Sequence, residues 1–236
     1  MEKKEKLYEG KAKIIYKTND PDLYIAYFKD DATAFNNQKK GTILDKGIVN
    51  NSISSRLFQL LSQNKIQNHF VEKLSDREML IKKLTMLPLE VIVRNVAAGS
   101  FAKRYGKEEG LVLSRPLLEF CLKDDSLGDP FLNDDAALIL GLCHQQQLLT
   151  IRNYALMINT CLSQFFDSME IRLIDFKLEF GLFKGDVLLG DEVTPDTCRL
   201  WDKKTDEKLD KDRFRRDMGG VEEAYKTVFD RVMQSK

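Results

Sequence analysis

Asp175, Lys177, Glu179, Asp191 and Glu192 carry the first chemical signal in this 236-residue chain. The first three alternate within Leu173–Gly181, LIDFKLEFG, so a strand would set all three on one face. Phe176, Leu178 and Phe180 would then point the other way, toward a core. Lys184-Gly185-Asp186 is a turn signal, and Val187-Leu188-Leu189-Gly190 reads as the returning strand of a hairpin. That hairpin would deliver Asp191 beside Glu179. Two carboxylates with open positions suit Mg²⁺, which keeps several waters and takes substrate phosphates as partners. Solvated charges on a surface hairpin make the same pattern. Gly181, Gly185 and Gly190 favour a site, because glycine marks tight turns and close approach of a backbone or ligand.

Cationic groups stand elsewhere. Glu9-Gly10-Lys11-Ala12-Lys13 lies at a predicted turn, where one glycine and two lysines can cover phosphates. It is neither a Walker A loop nor G-x-G-x-x-G, and a plain basic hairpin turn would read the same. Leu87–Arg94, LPLEVIVR, is a buried strand with Glu90 and Arg94 on one face by parity. Ala97-Ala98-Gly99-Ser100 allows a tight turn into a helix whose N-terminus can receive an anion. Arg94 and Ser100 together point to a phosphate or carboxylate pocket. The alternative is that Arg94 serves only as the structural partner of Glu90. Arg199 supplies another guanidinium, in a loop after the hairpin.

Elements that would position these groups can be read in order. Residues 7–30 alternate around the turn Asn19-Asp20-Pro21-Asp22 and predict an antiparallel sheet. Gly47–Leu61 predicts a helix, with Asn50 and Asn51 as capping residues near its start. Phe70–Leu74 and Glu78–Leu84 predict strands, the second ending before Pro88. Residues 121–136 read as an acidic loop without EF-hand spacing. Thr150–Met169 carries a continuous apolar stripe and predicts a helix, as does the amphipathic stretch Val221–Met233. His69 and His144 lack a spaced partner and receive no role.

The composition allows one large or two small domains with ample core. A net charge of +0 argues against a general nucleic-acid binder, which carries a basic excess. Cys121, Cys143, Cys161 and Cys198 are far apart, which disfavours a zinc site or disulfide framework. The start is charged, and no run reaches membrane-spanning length, so a cytoplasmic protein without membrane partners is expected.

Joined together, these segments resemble the SAICAR synthetase family, ATP-dependent ligases of purine biosynthesis. LPLEVIVRNVAAGS (87–100) and LIDFKLEFG (173–181) carry most of the resemblance. LYEGKAK (7–13), KGIVNN (46–51), LGDE (189–192), RLWDKKT (199–205) and DKDRFRRDMGG (210–220) support it. It runs from about residue 7 to the C-terminus.

The resemblance implies an α+β, two-lobed fold of kinase-like arrangement. An antiparallel sheet lobe (1–84) would cover ATP, and a larger lobe (85–236) would hold the ribonucleotide and metal. The implied reaction joins L-aspartate to the carboxylate of carboxyaminoimidazole ribonucleotide (CAIR), with ATP and Mg²⁺, giving SAICAR, ADP and phosphate. Gly10, Lys11, Ala12 and Lys13 would contact ATP phosphates, and Lys82, Leu84 and Met86 would line the adenine. Glu179 and Asp191 would hold Mg²⁺. Glu90, Arg94, Ser100, Asp196, Arg199 and Arg215 would bind the ribonucleotide. Lys177, Lys123 and Asp175 would act at the reacting groups. A homodimer is also implied. The rival readings are a small-molecule or protein kinase and a nucleotide-binding regulator without turnover. A protein kinase should show G-x-G-x-x-G and H-R-D, and neither is present. A regulator should have lost the acids or the phosphate lysines, and all remain.

Overall fold

A computed structural model describes residues 1–34 and 39–235. The first sheet is built from β1 (Lys3–Glu9), β2 (Lys13–Thr18), β3 (Leu23–Phe28), β6 (Phe70–Lys73) and β7 (Glu78–Lys82). Its order is β1-β2-β3-β7-β6, and every pairing is antiparallel. Between β3 and β6 come the hairpin β4 (Asp31–Ala34) and β5 (Lys39–Thr42), then helix α1 (Lys46–Gln63). Lys83 and Leu84 lead from β7 into the second sheet.

The second sheet comprises β8 (Thr85–Val96), β9 (Val112–Leu122), β10 (Phe131–Leu132), β11 (Ile171–Phe183), β12 (Asp186–Leu189) and β13 (Cys198–Asp202). Strand β11 is its spine. One edge pairs with β8; the other pairs with β13 along its first half and β12 along its second. The predicted hairpin is present, with Phe183 opposite Asp186 across a two-residue turn. Lys184 and Gly185 have φ of 53° and 96°, the double left-handed turn that matches strand twist. Helices α2 (Gly99–Tyr105), α3 (Asp134–Ile139), α4 (Gln145–Asp167), α5 (Asp212–Arg215) and α6 (Val221–Gln234) complete the α+β fold. Among the described residues no helix is long and apolar enough to cross a membrane.

The sequence reading needs several corrections. Helix α1 begins at Lys46 with Asp45 as its N-cap, so Asn50 and Asn51 lie inside it, buried, and cap nothing. Pro88 does not end a strand. Strand β8 runs through it, because a register shift between Glu179 and Gly181 of β11 accommodates extra β8 residues there. The acidic stretch 121–136 holds the end of β9, a short 3₁₀ turn, β10 and the start of α3.

One buried apolar cluster spans both sheets, from Ala26, Phe28 and Met79 to Val91, Val93 and Leu178. Residues 67–69 also join the edge of β12, with Leu189 N donating to Gln67 O and His69 N to Leu189 O. Helix α1 lies at this junction and enters it at Gly47. A Cβ on Gly47 would overlap the Phe28 carbonyl and sit 2.5 Å from Arg77 Nη1. Gly47→Ala should therefore destabilise the fold by about 1–3 kcal/mol, as overpacking does. Thermal melting checks this. An unchanged midpoint would show that the helix start can shift without loss.

Candidate active site

The inward face of β11 is a row of charges because its residues alternate. Phe176, Leu178 and Phe180 are buried in the core, so Asp175, Lys177 and Glu179 face the opposite way. Lys177 Nζ donates to Glu90 at 2.5 Å and to Glu179 Oε1 at 2.9 Å. Lys123, just after β9, pairs with the other Glu179 oxygen. Glu90 faces Glu179 across the β8–β11 ladder, and Lys177 lies between the two acids. Burial opposes the Lys177 ammonium, but Glu179 and Glu90 outweigh it and raise its pKa.

The hairpin returns Asp191 to this face. Its φ of 54° is unusual for a residue other than glycine. Lys13 Nζ donates to Asp191 Oδ1 at 2.5 Å and lies 3.4 Å from Glu192. Burial works against the Asp191 carboxylate, but the charges of Lys13 and Lys177 hold its pKa near 2. Burial likewise opposes the Lys13 ammonium, and Asp191 and Glu192 overcome it. Burial raises the pKa of Glu192.

Lys11 goes elsewhere. It is exposed and pairs with Asp125. Gly10 N donates to Lys13 O and tightens the turn between β1 and β2, where Ala12 also lies. A cavity of ≈ 710 Å³ separates this turn from the β4–β5 hairpin, lined in part by Lys11, Lys29 and Lys40.

Leu84 and Met86 close another side. A Cβ on Gly181 would stand 2.8 Å from Leu84 Cβ, and one on Gly190 would stand 3.0 Å from Leu84 Cδ1. These hairpin glycines let the inter-sheet connection settle against the hairpin. Lys82 directs its ammonium to Asn68 O at 3.3 Å.

The arginines gather around Asp175. Arg94, 2% exposed, donates to Glu119 at 2.6 Å, to Asp175 at 2.9 Å and to Ser100 Oγ at 3.3 Å. Arg199 donates to both Asp175 oxygens and, through Nε, to Asp212. Its other nitrogen lies over Gly99, at φ 52°, where a side chain would collide with it. Arg94, Ser100 and Arg199 are thus brought together. The pairing of Arg94 with Glu90 is not found; Glu90 belongs to Lys177. Arg215 pairs with Asp212 at 2.6 Å. Asp196 is buried with both oxygens engaged, by Lys46 at 2.8 Å and Tyr225 at 2.5 Å.

This face thus joins an acid–lysine patch to a two-arginine pocket, beside a connection set against glycine. The family model described as SAICAR synthetase matches residues 6–232. The chain belongs to the SAICAR synthetase family. A phosphoribosylaminoimidazole-succinocarboxamide synthase of Chlorobium phaeobacteroides is 59% identical, over 97% of each chain. The crystal structure of such a synthase from Ehrlichia chaffeensis superposes with a TM-score of 0.96 at 45% identity, covering 98% of this chain and 100% of that one. A SAICAR synthetase solved in complex with ADP has a TM-score of 0.93 at 44% identity, covering 97% and 98%.

Several residues of this family member escaped the sequence reading. Asp212 and Lys46 stand in the blocks DKDRFRRDMGG and KGIVNN, but neither block says which partner its charges meet. Glu119 lies on β9, a strand not predicted. His69 carried no signal; it is 5% exposed, against the Phe58 ring. Burial, aided by the charge of Lys13, lowers its pKa from 6.5 to about 3.

A pH effect follows. Between these two values the unfolded chain takes up a proton that the folded protein refuses. Stability is therefore lost as pH falls below 6.5, by up to about 1.4 kcal/mol per unit. From pH 7 to pH 5 the wild type should lose about 2 kcal/mol more than His69→Gln. Urea unfolding at the two pH values reads this difference, and equal losses would contradict it.

Proposed function

We propose that the chain is a phosphoribosylaminoimidazole-succinocarboxamide synthase. It would join L-aspartate to the carboxylate of CAIR at the expense of ATP, yielding SAICAR, ADP and phosphate. The observation that carries this reading is the shared face of β11. Glu179 lies with its lysines at one end and Asp175 with its arginines at the other. A phosphoryl donor and a phosphorylated acceptor can thus meet along one strand.

Each part has a task. Lys13 neutralises ATP phosphates from the β1–β2 turn, and Leu84 and Met86 offer an apolar seat for the adenine. Arg94, Ser100 and Arg199 take the ribonucleotide phosphate, since a guanidinium fork matches phosphate oxygens. That leaves the substrate carboxylate pointing along β11 toward Lys177 and Lys123. A carboxylate is a poor acylating agent. Attack of its oxygen on the γ-phosphorus would expel ADP and form an acyl phosphate. The aspartate amine would then attack the acyl carbon, and phosphate would leave. Lys177 and Lys123 stabilise the charge that moves during these steps. Positioning and charge neutralisation account for most of the catalysis.

The donor set fits Mg²⁺. Among the described residues no group of three or more His, Cys, Asp or Glu is placed to hold a metal ion, so the fit rests on two carboxylates with phosphate and water completing the shell. Two hard carboxylates with lysine-held oxygens match an ion that takes its other positions from phosphate and water. Glu179 and Asp191 would hold it, and it would neutralise the phosphates when bound. The reading also carries two lobes divided near residue 84 in a kinase-like arrangement and a homodimer, taken from the family resemblance, and a cytoplasmic setting, taken from the charged start and the lack of a membrane-length run.

The test is ADP release with ATP, Mg²⁺, L-aspartate and CAIR, omitting each in turn. Release that ignores aspartate would favour a kinase. Lys13→Ala should lower kcat/KM for ATP by about ten- to a hundredfold, the loss expected for a charged hydrogen bond. Lys11→Ala should change it little, because Lys11 is exposed and paired with Asp125. Equal losses in the two variants would displace the assignment of Lys13.

A further inference from the structure

Helix α1 is buried, yet much of its inner surface is polar. Lys46, Asn50 and Ser54 recur every four residues and share one stripe. All three are at most 1% exposed. The stripe faces the segment that follows β12. Lys46 Nζ donates to Asp196 Oδ2 at 2.8 Å, and Val193 N donates to Ser54 Oγ at 3.2 Å. From α6, Tyr225 donates its hydroxyl to the other Asp196 oxygen at 2.5 Å. Asn50 stands one turn from Lys46 and from Ser54, and neither polar atom of its carboxamide has a partner among the described residues.

Stability alone does not explain this stripe. An apolar helix face would fill the same space without desolvating a charge pair or an unpartnered amide. What the stripe holds is the segment that carries Asp191 and Glu192 to Lys13. Asp191 sits at φ 54°, a conformation that persists only where the surroundings over-determine it. Ser54 fixes the chain two residues further on, and Lys46 with Tyr225 fixes it at Asp196.

We propose that Lys46, Ser54 and Tyr225 are positioning residues for the metal–nucleotide site. They act through Val193 and Asp196 to set the Asp191 carboxylate toward the bound nucleotide. The inference rests on the reading of Asp191 as a metal-holding acid. It gives α6 a part in the active site through the bond from Tyr225 to Asp196.

Ser54→Ala and Tyr225→Phe each remove one hydroxyl and leave the packing nearly intact. Their melting temperatures, their Mn²⁺ affinity in the presence of ADP by electron paramagnetic resonance, and their KM for ATP and for CAIR should be measured. In both variants Mn²⁺ affinity should weaken by about tenfold, within the range for loss of an outer-shell support. The KM for ATP should rise with it. The KM for CAIR should not change in Ser54→Ala, because Ser54 bonds Val193 N and Arg94, Ser100 and Arg199 stand on other elements. A lower melting temperature with wild-type Mn²⁺ affinity and KM for ATP would mean a purely structural role and overturn the proposal. A wild-type protein that binds Mn²⁺ with ADP but forms no SAICAR would overturn the functional reading instead, leaving the Mn²⁺ comparison to decide this one.

Discussion

Asp175 is the charge on which the site's geometry depends. It is 4% exposed and shared by two guanidinium groups from distant parts of the chain. A buried arginine is tolerated only when its charge is met and its N–H groups are bonded. Arg94 meets this condition through Asp175, Glu119 and Ser100, and Arg199 through Asp175 and Asp212. The acids therefore do more than balance charge. They hold the guanidinium planes in place before any anion arrives, so little order remains to be imposed on binding. Removing Asp175 would leave two cations facing each other with no common partner.

The other end of β11 follows the opposite logic. There, on the proposed reading, the acids hold the metal and the lysines are their counterions. Glu179 is held by Lys177 and Lys123, and Asp191 by Lys13. Each lysine has a flexible stem and a point charge, so it can turn from a carboxylate to a phosphate without rearranging the sheet. Arginines in a fixed fork at one end and lysines at the other suit the two ligands. One ligand must be oriented. The other must lose a phosphoryl group whose charge moves during the reaction.

Much of this was legible because strands carry their periodicity openly. The alternation of Asp175, Lys177 and Glu179 with Phe176, Leu178 and Phe180 predicts the charged face, and Lys184-Gly185 predicts the turn that returns Asp191. The parity of Glu90 and Arg94 was right, but parity names a face and not a partner. Glu90 stands four residues away on the same strand, about 13 Å along it and out of reach, whereas Asp175 is the cross-strand partner of Arg94, which only the register shows. Asn50 and Asn51 misled for a related reason. Near a helix start, asparagine is read as a cap, whereas here it is buried polar structure. Glu119 was invisible until β9 was found, because its meaning comes from the strand beside it.

The two sheets are joined unevenly, and this bears on how a nucleotide enters. On one side they share an apolar cluster, and residues 67–69 extend the second sheet by backbone hydrogen bonds to β12. Separating them there would expose core and break sheet pairing together. On the side of the Gly10 turn, Lys11 to Asp125 is an exposed ion pair, of a kind worth about 0–1 kcal/mol. Lys13 to Asp191 is more buried, but phosphate and metal can replace each partner of that pair. The contacts between the sheets are therefore weakest at the β1–β2 turn and strongest where residues 67–69 meet β12. If Lys13 meets ATP phosphates as proposed, the nucleotide and Asp191 compete for the same ammonium.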